Sequence, residues 1–133
     1  MNTKILGFTV TDDSHQKDIF IVTFYDNNIS ENEKSPINFK FGIFGYKQND
    51  TFNADFKFTF INDGQSITHQ LSLNDIIAND ESTLQVGKNL HSSQFSFNVS
   101  LPIKEGIVKC EMSLKQKNIE IDHATTYFAL KRM

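Results

Sequence analysis

The chain has no tryptophan, one cysteine, two prolines and six glycines among its 133 residues. Each shortage removes a class of protein. The single cysteine, Cys110, permits no intrachain disulfide, so the fold must rest on its core. Glycine and proline are too sparse for a fibrous or low-complexity chain. Nor is there an excess of positive charge: 13 Lys and Arg against 16 Asp and Glu give a net charge of −3 and an isoelectric point of about 5.7. A nucleic-acid binder draws its affinity from clustered Lys and Arg, so no nucleic-acid partner is expected. No run approaches the roughly 20 apolar residues of a membrane span. Met1 to Val10 lacks the basic-then-apolar order of a secretory leader. The expectation is a soluble cytoplasmic protein with no membrane partner.

Phenylalanine, in contrast, is abundant, with 13 residues. Phe52 to Ile61 shows what it is for. Phe52, Ala54, Phe56, Phe58 and Phe60 alternate with Asn53, Asp55, Lys57 and Thr59. Side chains alternate faces along a strand, so this is a β-strand with one aromatic face and one wet face. Its aromatic face needs a second apolar layer to cover it.

Similar alternation recurs along the chain. Lys4 to Thr11 reads as a first strand. Asp18 to Tyr25 is apolar on both faces, the pattern of a central or doubly covered strand. Ile37 to Tyr46 follows Pro36, with Gly42 and Gly45 marking a bulge. Asn62-Asp63-Gly64-Gln65 reads as a two-residue type I′ hairpin, which places Phe60 opposite Ile67 and leaves Ile67, Leu71 and Leu73 on the aromatic face. Between Ser72 and Ser93 the pattern is weak; Leu84 and Val86 suggest a short strand. Gln94 to Leu101, the stretch from Val108 to Leu114, Ile119 to Asp122 and Tyr127 to Leu130 complete eight or nine strands without a confident helix. Such a chain forms one all-β domain over residues 1–133, an antiparallel sandwich or barrel.

The paired strands after Gly106 resemble the plan of an immunoglobulin-like sandwich in their order and spacing. The cysteine pair and the tryptophan of antibody domains are missing. The alternative is a closed up-and-down barrel holding a small apolar ligand. Barrels of the fatty-acid-binding type carry an early helix pair, and no helical period occurs between Asp12 and Pro36. The sandwich is therefore the expected fold.

Three residues with metal or redox chemistry fall on nominally inward positions. His69 lies between Ile67 and Leu71, Cys110 between Val108 and Met112. His123 follows Ile121 in phase, opposite Met112 or Cys110. As metal candidates they match no paired zinc spacing, and the carboxylates Asp12, Asp13, Asp18 and Asp75, Asp80, Glu81 do not match the calcium-loop spacing. A buried thiol and two hydrogen-bonded histidines explain them more simply, so no metal site and no cofactor are expected. Asp122-His123 lacks a Gly-x-Ser-x-Gly nucleophile elbow, and no acid, base and nucleophile converge, so the expectation is not an enzyme. The surplus aromatics between Ile37 and Tyr46 suggest a contact surface at Phe39, Phe41, Phe44 and Tyr46. The expected function is binding a protein partner or self-association, with strand addition at a sheet edge as one route.

Overall fold

The computed structural model describes residues 3–11, 21–24, 34–47, 49–73, 84–87, 90–102 and 104–132. These form nine strands: β1 (Lys4–Thr11), β2 (Ile21–Phe24), β3 (Lys34–Tyr46), β4 (Asn53–Phe60), β5 (Ser66–Ser72), β6 (Leu84–Gly87), β7 (Leu90–Pro102), β8 (Gly106–Gln116) and β9 (Ile119–Arg132). No helix among them is long and apolar enough to cross a membrane. One sheet runs β1-β3-β7-β6, the other β2-β9-β8-β4-β5. Among the described residues neither sheet closes on itself or joins the other, so the fold is an immunoglobulin-like β-sandwich and not a closed barrel. The ladders are antiparallel except β2 with β9, which is parallel.

The alternation in β4 produces the core. Phe52, Ala54, Phe56, Phe58 and Phe60 are buried, and β8 lays Val108, Cys110, Met112 and Leu114 beside them. The facing sheet supplies Ile37, Phe39, Phe41, Ile43 and Tyr46 from β3, and Phe95, Val99 and Leu101 from β7. Rings then pack across the two layers. Phe56 lies 4.5 Å from Phe97 and Phe39 lies 5.1 Å from Phe58, centroid to centroid. Such pairs contribute about 0.5–1.5 kcal/mol each beyond their buried area. On the β1 side a half-buried carboxylate closes the sandwich, because the Ile5 N–H donates to Asp122 Oδ2 at 2.8 Å.

Four expectations are corrected here. The doubly apolar stretch at Asp18 to Tyr25 contributes β2, which among the described strands lies at an edge and not in the centre. Residues 12–20, 25–33 and 74–83 lie outside the described residues. Phe39, Phe41 and Tyr46 are core side chains, 0–1% exposed, and offer no surface; the bulge at Gly45 (φ 81°) turns Tyr46 inward, where its hydroxyl shares a 2.6 Å hydrogen bond with Ser93 Oγ. Only Phe44 lies on the outer face, half-buried.

The β4–β5 hairpin differs by two residues. Phe58, not Phe60, lies opposite Ile67. A type I′ turn needs positive φ at both central residues, and here only Gly64 adopts it (φ 74°). Asp63 instead accepts from the Gln65 N–H at 2.9 Å, and Gly64 N–H donates to the Phe60 carbonyl at 2.8 Å, giving a wider loop. A slip of two keeps every side chain on its expected face. The type I′ geometry occurs at the β8–β9 turn, where Lys117 and Asn118 have φ of 53° and 63°.

Finally, His123 does not face Met112 or Cys110. The β8–β9 register shifts between Leu114 and Lys115, with Leu114 opposite Asp122 and Lys115 opposite Glu120. The extra residue, Ile121, reverses the phase. His123 lies opposite Ser113 on the outer face, exposed.

Candidate functional site

Among the described residues four strands end the two sheets, and three of them are guarded. A sheet edge presents unpaired backbone groups, which natural proteins blunt with short strands, bulges, charge or proline. β2 and β6 have four residues each, and β6 also breaks register between Gln85 and Gly87. β1 carries Lys4 and a register shift between Leu6 and Thr9, around Gly7 at φ 62°. β5 has none of these devices. Its seven residues, Ser66-Ile67-Thr68-His69-Gln70-Leu71-Ser72, include no Lys, Arg, Asp or Glu, no Pro and no Gly. They pair with β4 without a break from Ser66 opposite Thr59 to Ser72 opposite Asn53.

The hydrogen-bond phase of β5 follows from its ends. Phe60 N–H donates to the Gln65 carbonyl at 2.9 Å, and Leu73 N–H to the Phe52 carbonyl at 3.0 Å. Bonded and non-bonded pairs alternate in an antiparallel ladder. Ile67, His69 and Leu71 therefore turn their backbone groups to β4. Ser66, Thr68, Gln70 and Ser72 turn theirs to the open side. Thr68 and Gln70 are exposed on the outer face, while Ile67, His69 and Leu71 form a half-buried inner row. Among the described residues nothing pairs with that side, so the edge offers backbone donors and acceptors flanked by an apolar row on one side and a polar row on the other.

The three metal candidates are dispersed by this arrangement. Cys110 is fully buried in the core between β4 and β9, and desolvation pushes its thiol well above the usual range. His69 packs its ring on Phe56 and Phe97. His123 points out of the opposite face. Among the described residues no three His, Cys, Asp or Glu side chains gather as a metal site.

The outer face of the five-stranded sheet is concave. A groove of about 560 Å³ crosses β5, β4, β8 and β9, with Asp55, Lys57, Gln70, Glu111, Glu120 and His123 in its lining. Asp55, Ser113 and His123 share one cross-strand row, a relation that sequence order did not reveal. They do not form a nucleophilic relay. Ser113 Oγ donates to Glu120 at 2.7 Å, and Asp55 pairs with Lys115 at 2.6 Å. That pairing holds the Lys115 ammonium above its ordinary pKa, through the hydrogen bond first and the Asp55 charge second.

No protein-family model matches the sequence, and no curated protein matches it. Solved structures do match the fold. A bacterial adhesin from Mobiluncus mulieris, with intramolecular disulfide, isopeptide and ester cross-links, aligns with TM-score 0.63 at 5% identity, over 98% of this chain and 58% of that one. A β-glucuronidase from Bacteroides uniformis aligns with TM-score 0.54 at 12% identity, over 96% of this chain and 14% of the enzyme. A β-galactosidase-type protein from Bacteroides fragilis gives 0.51 at 12% identity, over 96% and 17%. The chain thus spans little more than half of the adhesin structure and a small part of each glycosidase. At these identities what is shared is the fold, a β-sandwich that occurs as one module within larger proteins.

Proposed function

We propose that this chain is a non-catalytic protein-interaction module that captures an extended segment of a protein along β5. The reading rests on one observation: among the described residues β5 is regular, free of Lys, Arg, Asp and Glu, and paired on one side, whereas β1, β2 and β6 each carry a guard. In strand addition the backbone hydrogen bonds supply affinity, and alternate side chains supply specificity. A captured segment would match apolar residues to the inner row of Ile67, His69 and Leu71, and polar residues to Thr68 and Gln70. The competing reading, an apolar ligand between the sheets, finds that space occupied by phenylalanine rings in mutual contact. Fold likeness favours neither binding nor catalysis, since it extends to an adhesin and to glycosidases alike.

The test uses Gln70→Pro. The Gln70 N–H faces the open side, so proline there removes a donor from the edge and none from the β4 ladder. Extended heptapeptides selected from a random library on the wild-type protein are expected to lose at least about tenfold in affinity for this variant. They are also expected to slow amide exchange at Thr68 and Gln70. Selected peptides that bind both proteins equally would sink the reading.

A further inference from the structure

We infer that the segment captured by β5 is β5 of a second copy, paired antiparallel about a two-fold axis through His69. This rests on the reading of β5 as a capturing edge and names the occupant. A two-fold interface requires each residue to meet the one placed symmetrically about the axis. Read outward from His69, β5 is a chemical palindrome. Thr68 and Gln70 are polar, Ile67 and Leu71 are branched aliphatics, and Ser66 and Ser72 are identical. Pairing on this centre sets Thr68 against the second copy's Gln70, Ile67 against its Leu71 and Ser66 against its Ser72.

The hydrogen-bond phase agrees with that centre. Thr68, Gln70, Ser66 and Ser72 are the residues whose backbone groups face the open side, and the pairing joins them to one another. About eight backbone hydrogen bonds result. His69 then meets its counterpart as a non-bonded pair, Cα atoms about 4.5 Å apart. Centring one residue away, on Thr68, sets Ile67 against His69 and Ser72 against Gly64, which lies in the hairpin loop at φ 74°. That register is shorter and mismatched.

Charge also fits, and so does clearance among the described strands. The outer row through Thr68 begins at Lys57 and, across the axis, ends at the second copy's Asp55, so its terminal charges are opposite. In the covering sheet β6 pairs with Leu90 to Ser92, at one end of β7, while the ring stacked on His69 is Phe97. The middle of β5 is therefore not overhung by β6. The product is a continuous ten-stranded sheet across two copies.

Sedimentation equilibrium and site-directed cross-linking test this together. Wild-type protein is expected to sediment as a dimer of 15.2 kDa subunits. Gln70→Pro, and independently Thr68→Lys, are expected to raise the dissociation constant at least about 100-fold while leaving the far-ultraviolet β spectrum intact. Mild oxidation of His69→Cys is expected to give a covalent dimer, because a Cα separation of about 4.5 Å suits a disulfide; the native thiol is buried and stays out of the reaction. Thr68→Cys alone should cross-link poorly, but well when mixed with Gln70→Cys. A dimer indifferent to both edge variants overturns the inference, as does efficient self-linking of Thr68→Cys without linking of His69→Cys. A wild-type monomer that still binds selected heptapeptides along β5 overturns only the second-copy inference and leaves the capturing edge standing. A monomer that binds none overturns both.

Discussion

His69 lies flat against Phe97 of the opposite sheet, with ring centroids 6.2 Å apart and planes within 3°. Phe56, its cross-strand neighbour, closes the other flank at 6.4 Å. Among the described residues the inner-face groups around this imidazole, from Ala54, Phe56 and Phe58 on β4 to Ile67 and Leu71 on β5 and Phe97 on β7, carry no charge. Asp55 and Lys57 flank Phe56 but point to the outer face.

In the two-fold pairing the side chain facing His69 is therefore the second copy's His69, so a substitution there is placed twice at the axis. His69→Glu would set two carboxylates directly opposite each other, and like charges so placed are destabilising by about 1–4 kcal/mol. His69→Glu is expected to raise the dissociation constant about tenfold or more, and His69→Gln, of similar size without the charge, by less. Sedimentation velocity of the two variants reads both; an unchanged constant in His69→Glu would remove His69 from the axis.

Cys110 should behave as a small hydrophobe. It lies opposite Phe58 and Thr126, fully buried, with its thiol held in the neutral form by desolvation. Only the thiolate reacts with disulfide reagents. Native protein at about pH 8 should show no thiol release over minutes, and one equivalent should appear in denaturant. Cys110→Ser is expected to cost about 1–3 kcal/mol by burying a hydroxyl, more than Cys110→Ala. Rapid native labelling would mean that the core opens.

Phe58 and Phe44 separate core from surface. Both are phenylalanines on alternating strands, but Phe58 is wholly buried and Phe44 lies on the outer face. Phe58→Ala is expected to lose about 3–5 kcal/mol, and Phe44→Ala about 1 kcal/mol or less. Urea midpoints of the two variants decide this. A large loss at Phe44 would show that this face packs against something in the folded protein.

Alternation made the inward residues of β4, β7 and β8 legible from the sequence, because a period of two depends on local geometry alone. It stopped being informative where one residue was inserted. Ile121 adds a residue to β9 and carries His123 to the outside, and nothing in Glu120-Ile121-Asp122 marks the bulge. The richly aromatic β3 suggested a surplus for binding; its rings are consumed by a facing layer of phenylalanines whose extent is a tertiary property. Neither the edge position of β5 nor the guards on the other edges could be read from sequence, since strand order within a sheet is set by long-range pairing. What the sequence did carry was the composition of β5 itself. Its symmetry about His69 acquires meaning only once that strand is known to lie at an edge.

The hairpin loop yields the last expectation. Asp63 is held below the ordinary carboxylate range, first by the Gln65 N–H and then by the Lys104 ammonium, which donates to it at 3.1 Å. Lys104 also donates to Gln65 Oε1, tying the loop to the turn after β7. A group whose pKa is depressed on folding contributes stability above its unfolded value, and that contribution is lost as pH falls through the folded value. The loop contribution is thus present at neutral pH and disappears in acid. Carboxyl chemical shifts should place the Asp63 midpoint below the usual value of about 3.9. Lys104→Met should raise it only part of the way, because the Gln65 N–H is the larger cause. Full return to the usual value in that variant would make the lysine dominant, and no movement would leave the Lys104–Asp63 pair without weight in solution.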